Sequence, residues 1–227
     1  MPLDKVCDGY SQISLIFLKI QTYSVVRIDI KDIRKYYRYS KTQIHGFRLK
    51  HFINCCNPTC KPVLANSFPS KQELLTIAKN LEDKLMRGTE RDDVVFCHND
   101  ALLANVVIQE ENVINFIDLE YGAPNFAAFD IANHFVEFVG CDGVLDYEKW
   151  LPEKSWRLDW VRKYLAERSR KGKVDKDGAD CSNVVDEENV EALQARVELF
   201  MLPAHLLWAV WAVIQVTFSL IILGELK

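Results

Sequence analysis

The alternation of apolar and polar side chains divides this chain into segments with helical spacing and segments with strand-like spacing. Apolar residues three and four positions apart predict four helices, at residues 70–86, 126–139, 156–168 and 191–223. The first begins with Ser70 and Glu73, whose spacing is that of an N-terminal capping box. The second has an apolar side opposite a polar side, which is made by Asp130, Asn133, His134 and Glu137.

Three short apolar runs lie between the first two predicted helices and indicate β-strands. They occupy residues 94–97, 105–109 and 113–118. The polar break at residues 110–112 is a hairpin signal, and a loop at residues 97–105 joins the first run to this hairpin. The pattern therefore predicts an α+β chain, mainly helical, with a short β-hairpin next to a loop.

Two segments lack such a pattern. Residues 1–60 contain an apolar stretch that suits a helix or a strand equally well. Residues 171–188 are charged, contain glycine and nearly lack large apolar side chains, so we expect a flexible surface loop there. We therefore expect an N-terminal segment of unassigned structure, residues 1–60, followed by a folded unit, residues 61–227.

Composition narrows the class of protein. Of the 227 residues, 49% are hydrophobic and 26% are charged, which suits a globular protein with a buried core and excludes collagen-like and disordered chains. The formal net charge of −4, without a long basic run, argues against binding to nucleic acid. The N-terminus shows no secretory signal pattern, so we expect a cytoplasmic protein with reduced thiols.

Four of the potential metal ligands are close together in the sequence, namely His51, Cys55, Cys56 and Cys60. A structural zinc site needs four ligands, and its two ligand pairs are normally separated by a longer segment. No second pair follows this cluster at a usable spacing. We therefore do not expect zinc here.

An uncharged run extends from Leu199 to Gly224 and is long enough to cross a membrane. A buried core helix is the alternative. His205, Trp208, Trp211 and Gln215 are three, three and four positions apart, so they share one face of a helix. A helix surrounded by lipid gains nothing from such a polar and aromatic face, so this spacing favours a core helix without stable membrane insertion.

The loop at residues 97–105 carries the pattern H-x-D-x-x-x-x-N, formed by His98, Asp100 and Asn105. In phosphoryl transfer to a hydroxyl group, a carboxylate accepts the proton of the nucleophile, and an amide oxygen a few residues later can bind a metal ion. Asp118 and Glu120 follow the hairpin, and Asp118 is our candidate for a second Mg²⁺ ligand. Each element alone also occurs in ordinary tight loops, but their order and spacing together favour a kinase-type core.

Four motifs in this order resemble the choline/ethanolamine kinase family. They are F-C-H-N-D-x-x-x-x-N at 96–105, I-D-L-E-Y at 117–121, F-D-I-A-N-H-F-V-E-F at 129–138 and H-L-L-W-A-V-W-A-V-I-Q at 205–215. Leu102 and Leu103, which follow the aspartate, are similar to the ethanolamine kinase branch. The resemblance implies a protein kinase-like fold, of which this chain holds mainly the helical C-terminal lobe, with the hairpin carrying the catalytic loop.

The resemblance also implies roles for the motif residues. The reaction would be Mg²⁺- and ATP-dependent phosphorylation of ethanolamine, or of choline, on the way to phosphatidylethanolamine. Asp100 would be the base in a catalytic loop with His98 and Asn105, whereas Asn105, Asp118 and Glu120 would serve the metal and the nucleotide. Four residues would line the amino-alcohol pocket with Asp100: Tyr121, Glu137, Trp208 and Trp211. Packing in the core is the alternative role of the two tryptophans.

The chain also departs from the family pattern. Family members carry a β-rich nucleotide-binding lobe before these motifs, whereas we find no Gly-rich loop in residues 1–93 and expect the chain to begin near the hinge between lobes. Residues 220–227 also leave the pattern. An inactive or regulatory fragment of such a kinase is therefore the alternative function, and an aminoglycoside-type phosphotransferase is a more remote one. The sequence leaves monomer and homodimer open.

Overall fold

The computed structural model describes residues 46–59, 68–85, 94–108, 114–139, 146–172 and 185–222. Within these ranges the helices are α1 (Gly46–Cys55), α2 (Lys71–Leu85), α3 (Ala127–Glu137), α4 (Tyr147–Trp150), α5 (Lys154–Gly172) and α6 (Glu187–Ile222). The strands are β1 (Val94–Cys97), β2 (Val106–Ile108), β3 (Ile114–Phe116) and β4 (Ala123–Phe126). The architecture is α+β and mainly helical, as the sequence predicts.

All four predicted helices are present, as α2, α3, α5 and α6. The capping box of α2 is confirmed, because Oε2 of Glu73 accepts a 2.8 Å hydrogen bond from the Ser70 amide and Ser70 Oγ accepts one of 3.3 Å from the Glu73 amide. Helix α1 lies inside the N-terminal segment, residues 1–60, whose structure was not predicted. Of the expected loop at 171–188, residues 173–184 lie outside the described residues, and both of its ends belong to helices.

The strands form two antiparallel pairs. The predicted hairpin is confirmed, since β2 pairs with β3 in a register that sets Val106 opposite Phe116. The turn expected at residues 110–112 lies outside the described residues. Strand β1 pairs instead with β4, with Val94 opposite Phe126, and β4 was not predicted. The two short sheets hold the loop between β1 and β2 at their junction.

Helices α3 and α6 form the centre of the core, and β1, β4 and α5 pack around them. Every residue from Ala127 to Val136 of α3 is buried, so the expected division into an apolar and a polar side does not correspond to an inside and an outside. Asp130 and Asn133 are 0% exposed. Such polar groups are tolerated in a core only when they are hydrogen-bonded, and their partners are in the loop between β1 and β2.

Helix α6 includes the uncharged run and continues through Pro203 without a break. Within the described ranges it is the one helix long and apolar enough to cross a membrane by length and composition, and 28% of its most apolar window is buried. One side of α6 packs on α3. Large apolar side chains are exposed elsewhere along it, at Leu199, Leu202, Phe218, Ile221 and Ile222.

The cysteine cluster does not assemble a metal site among the described residues. Sγ of Cys55 lies 3.8 Å from Nε2 of His51, one helical turn earlier, and Cys56 is buried. Cys60 lies outside the described residues.

Candidate active site

The loop between β1 and β2, residues 98–105, is held by a carboxylate of α3. The backbone N–H groups of His98 and Asn99 donate hydrogen bonds of 3.0 and 2.8 Å to the two oxygens of Asp130. Asn99 has a φ of 64°, in the left-handed region that asparagine tolerates better than most residues. One buried carboxylate thus stabilises the turn that leads into Asp100.

Two further side chains of α3 bind backbone carbonyls on either side of Asp100. Nδ2 of Asn133 donates a 3.2 Å hydrogen bond to the carbonyl of Asn99, and Nδ1 of His134 donates one of 2.8 Å to the carbonyl of Ala101. Complete burial lowers the pKa of His134 to about 4, so this imidazole is neutral near pH 7. Helix α3 therefore fixes the backbone immediately before and after Asp100.

Asp100 and Asn105 come together as their spacing predicts. Nδ2 of Asn105 donates to the backbone carbonyl of Asp100 at 2.9 Å and to its Oδ2 at 3.3 Å. Both side chains are buried, and Oδ1 of Asp100 has no hydrogen-bond partner among the described residues. Burial raises the pKa of the Asp100 carboxyl, and the neighbouring charges of Asp118 and Glu120 add to this effect, whereas His98 and Asn105 oppose it.

His98 connects the loop to the end of β3. Its Nε2 donates a 3.0 Å hydrogen bond to the carbonyl of Ile117, while the Ile117 amide donates one of 3.0 Å to the carbonyl of Asn105. The next residue, Asp118, is exposed and has a φ of 60°. His98 thereby places the peptide that precedes Asp118.

The oxygen atoms near this loop suit a hard dication. Asn105 offers an amide oxygen, Asp118 and Glu120 offer exposed carboxylates, and Asp100 has the unpartnered Oδ1. No group of three or more His, Cys, Asp or Glu residues that could hold a metal occurs in the described ranges. Mg²⁺ commonly uses one or two protein ligands together with waters and phosphate oxygens, so this donor set fits Mg²⁺ bound with a nucleotide.

Tyr121, Trp208 and Trp211 form a continuous aromatic wall. The rings of Tyr121 and Trp208 are 5.6 Å apart and those of Trp208 and Trp211 are 5.7 Å apart, both nearly perpendicular. The carbonyl of Tyr121 also accepts a 2.9 Å hydrogen bond from Nδ2 of Asn99. The wall is therefore attached to the loop that carries Asp100.

Glu137 lines a cavity of about 190 Å³ next to the same loop. Its other lining residues are Leu102, Leu103, Ala104, His134 and Phe138. Burial raises the pKa of Glu137 to about 7, and the charge of Asp100 contributes to the increase. The two carboxyl groups are therefore near enough to interact, and an ammonium group between them would be stabilised.

The structure brings all the sequence-predicted site residues to one region around the loop. Asp118 and Glu120 are exposed, whereas the aromatic wall and Glu137 are half-buried. No role was predicted from the sequence for Asn99, Asp130 or Asn133, although the polar spacing along α3 was visible. The carbonyl of Tyr121 and the side chain of Asn125 both bind Asn99, which makes Asn99 the centre of a hydrogen-bond network.

The chain resembles known proteins in both sequence and structure. Residues 17–224 match the model of the choline/ethanolamine kinase family. Ethanolamine kinase of Drosophila melanogaster is 40% identical over 156 residues, which are 66% of this chain and 28% of that relative. Ethanolamine kinase 1 of Mus musculus is 39% identical over 152 residues, which are 66% of this chain and 38% of that relative.

Two solved structures have a fold similar to that of this chain. An ethanolamine kinase of Plasmodium vivax matches with a TM-score of 0.66 and 20% identity, over 91% of this chain and 54% of that one. A choline kinase of Cryptosporidium parvum matches with a TM-score of 0.61 and 23% identity, over 89% and 60%. The fold is protein kinase-like, and the chain spans 28–60% of the length of these four proteins. The extent of the family match and the identity to these relatives show that the chain belongs to the choline/ethanolamine kinase family.

Proposed function

We propose that this chain is an ethanolamine kinase-type phosphotransferase that transfers the γ-phosphoryl group of ATP to the hydroxyl of ethanolamine, with choline as the alternative acceptor. The observation that carries the proposal is the position of Asp100. Its buried carboxyl has an unpartnered oxygen and belongs to the loop that is attached to the aromatic wall, and its charge contributes to the raised pKa of a second carboxyl, Glu137. Relatives named ethanolamine kinases support the choice of acceptor.

The amino end of the acceptor would be held by charge and by ring faces. An ammonium group is attracted by a carboxylate and by the π-electron faces of aromatic rings. Glu137 supplies the carboxylate, while Tyr121, Trp208 and Trp211 supply the rings. A bound ammonium group would favour the ionised form of Glu137, so its binding would release the proton that Glu137 holds near neutral pH.

The hydroxyl end of the acceptor would face Asp100. The carboxylate accepts the hydroxyl proton as the oxygen attacks the γ-phosphorus, and the raised pKa of Asp100 makes it a stronger base than an exposed aspartate. Asn105 keeps the carboxylate in place through the 3.3 Å hydrogen bond to its other oxygen, Oδ2. The loop itself therefore supplies both the oxygen that accepts the proton, Oδ1 of Asp100, and the residue that holds the carboxylate in place, Asn105.

The phosphate end of the site would be formed by Asn105, Asp118 and Glu120. Asn105 and Asp118 would hold Mg²⁺, with Glu120 as a further acidic neighbour, and the ion would neutralise charge on the phosphate oxygens. His98 supports this arrangement by fixing the carbonyl of Ile117 before Asp118. We place the reaction in phosphatidylethanolamine synthesis and the protein in the cytoplasm, without stable insertion into a membrane.

An inactive or regulatory fragment is the alternative, because the matched region is 28% and 38% of the length of two relatives. Phosphoryl transfer depends mainly on positioning and charge neutralisation of the phosphates, so Asp100 alone is not sufficient. The fragment would keep the aromatic wall and Glu137 but would lack turnover.

The test is phosphorylation of ethanolamine and of choline by the purified chain with Mg·ATP, with Asp100→Ala as the control. We expect product from the wild type and a loss of turnover of at least about 100-fold in Asp100→Ala. Absence of both turnover and Mg·ATP binding in a folded wild-type chain would favour the fragment. Equal turnover by wild type and Asp100→Ala would reject Asp100 as the base.

A further inference from the structure

The side chain of Asn133 makes hydrogen bonds with two different parts of the site. Its Oδ1 accepts a 2.6 Å hydrogen bond from the indole N–H of Trp208, and its Nδ2 donates one of 3.2 Å to the carbonyl of Asn99. The residue is 0% exposed. One buried amide therefore joins the aromatic wall of α6 to the loop that carries Asp100.

The orientation of this amide is determined by its partners. An indole nitrogen can only donate and a backbone carbonyl can only accept, so a rotated amide would oppose donor to donor and acceptor to acceptor. Because Asn133 is fully buried, a rotated side-chain amide could not replace either lost hydrogen bond with one to water. The two partners thus determine which end of the Asn133 amide faces Trp208 and which end faces the carbonyl of Asn99.

The contact with Asn99 acts directly on Asp100. The carbonyl of Asn99 and the amide of Asp100 belong to the same planar peptide unit, so holding the carbonyl limits rotation of the whole unit. Asp130 already fixes the two preceding N–H groups. Asn133 holds the carbonyl of the peptide unit that leads into Asp100. Its other hydrogen bond connects that peptide unit to Trp208.

We propose that Asn133 is a positioning residue, which couples the orientation of the Trp208 ring in the acceptor wall to the orientation of the Asp100 carboxyl. The inference rests on the proposed function for its catalytic consequence. The coupling itself is a property of the fold. A side chain that only filled the core would contribute to stability but would not transmit a change at Trp208 to the peptide before Asp100.

Substitutions can separate the two hydrogen bonds. Trp208→Phe keeps an aromatic ring but removes the indole N–H, and Asn133→Asp keeps an acceptor for Trp208 but has no donor for the Asn99 carbonyl. Trp211→Phe is the matched control, because the indole N–H of Trp211 donates to the hydroxyl of Tyr121 instead. All three variants avoid the larger cavity that an alanine would leave.

The first measurement is the backbone ¹⁵N–¹H spectrum of the isotopically labelled chain, which does not require activity. We expect Trp208→Phe and Asn133→Asp to shift the amide resonance of Asp100 by several linewidths, and Trp211→Phe to shift it clearly less. An Asp100 resonance that is unchanged in Trp208→Phe, or shifted equally by both tryptophan variants, would overturn the coupling. This result is independent of whether the wild type turns over.

The second measurement applies to an active wild type and concerns kcat and KM per folded protein. Misplacing a reacting group by about 1 Å can lower the rate about 100-fold. We expect Asn133→Asp to lower kcat at least about 10-fold while KM for the amino-alcohol changes less than about 3-fold. A wild-type kcat in folded Asn133→Asp would reject the positioning role, whereas an inactive wild type would reject the proposed function and leave the spectral result to decide the coupling.

Discussion

The indole N–H of Trp211 donates a 2.8 Å hydrogen bond to the phenolic oxygen of Tyr121, which lies 90 positions earlier in the chain. Tyr121 stands just before β4, and Trp211 lies within α6. The bond therefore joins the segment after Asp118 to the helix that forms the rear of the site. Together with the Trp208 ring, it gives the aromatic wall a defined shape.

We expect Tyr121→Phe and Trp211→Phe each to lower the free energy of unfolding by about 1 kcal/mol, since each removes one partner of a half-buried hydrogen bond. The double variant should lose clearly less than the sum of the single losses, because both substitutions remove the same bond. Urea denaturation of the four proteins measures this. Tyr147→Phe, whose hydroxyl contacts His205, is the control and should be additive with Trp211→Phe.

The raised pKa of Glu137 predicts how stability changes with pH. Burial raises this pKa to about 7 from a value of 4.5 in the unfolded chain, so between these two values the folded state holds a proton that the unfolded state has lost. The contribution of Glu137 to stability is complete below pH 4.5 and is lost as the pH rises through 7. Glu137→Gln has no titrating group at this position, so this variant should not lose stability from position 137 as the pH rises.

Thermal unfolding of both proteins from pH 4.5 to pH 8 checks this expectation. The melting temperature of Glu137→Gln relative to the wild type should rise with pH and level off above about pH 7. Glu148→Gln, at an exposed position of α4, is the control and should show no such trend. A constant difference across the whole range for Glu137→Gln would contradict the raised pKa.

Removing the charge of Asp100 should change the titration of Glu137. The Asp100 carboxylate contributes to the raised pKa of Glu137, so Asp100→Asn should lower that pKa from about 7 toward 4.5 without reaching it, because burial remains the larger cause. The side-chain carboxyl carbon of labelled Glu137 reports this in an NMR pH titration. Asp159→Asn, at a half-exposed position of α5, should leave the titration unchanged. An unchanged titration in Asp100→Asn would show that the two carboxyl groups do not interact.

Local spacing was sufficient to predict much of this site. The three- and four-residue intervals place Trp208 and Trp211 on one side of α6, and the structure confirms that both contribute to a single wall. The same intervals also included His205 and Gln215, but Gln215 is exposed and His205 contacts Tyr147. Spacing determines which side chains share a face, whereas the partner of each side chain depends on segments distant in sequence.

There are also physical reasons why strand β4 and the burial of the polar side of α3 were not predicted from the sequence. Strand β4 contains Pro124 and follows Gly122, two residues that usually indicate a turn. A Cβ at Gly122 would lie 2.9 Å from the carbonyl oxygen of Leu119 and 3.0 Å from the ring of Phe96, so glycine is required by close packing. The polar side of α3 is buried as well, and Asp130 lies there because it binds the backbone of the loop.

Asp130 should therefore be important for stability. Asp130→Asn removes a buried charge that accepts two backbone hydrogen bonds and sets an amide N–H group against one of the donors. We expect a loss of about 3 kcal/mol in the free energy of unfolding. In chemical denaturation, Asp159→Asn should differ from the wild type by no more than about 0.5 kcal/mol. An effect of Asp130→Asn as small as that of the control would show that the loop does not depend on this carboxylate.

The long apolar helix leads to a prediction about membranes. Within the described residues, α6 packs on α3, and its Trp208 and Trp211 donate hydrogen bonds to Asn133 and Tyr121. Insertion of α6 into a bilayer would separate these partners. We therefore expect the chain to remain in the supernatant after a carbonate wash of membranes from expressing cells.

Ala209→Arg distinguishes the two locations of α6. Ala209 is exposed, so an arginine there should change the free energy of unfolding by no more than about 0.5 kcal/mol and leave the chain in the supernatant. In a membrane-spanning helix, the same arginine near the centre would oppose insertion by about 2.5 to 3.5 kcal/mol. A wild type that stays with the membranes after the wash and is released by Ala209→Arg would show that α6 spans the bilayer, because only insertion makes position 209 sensitive to charge.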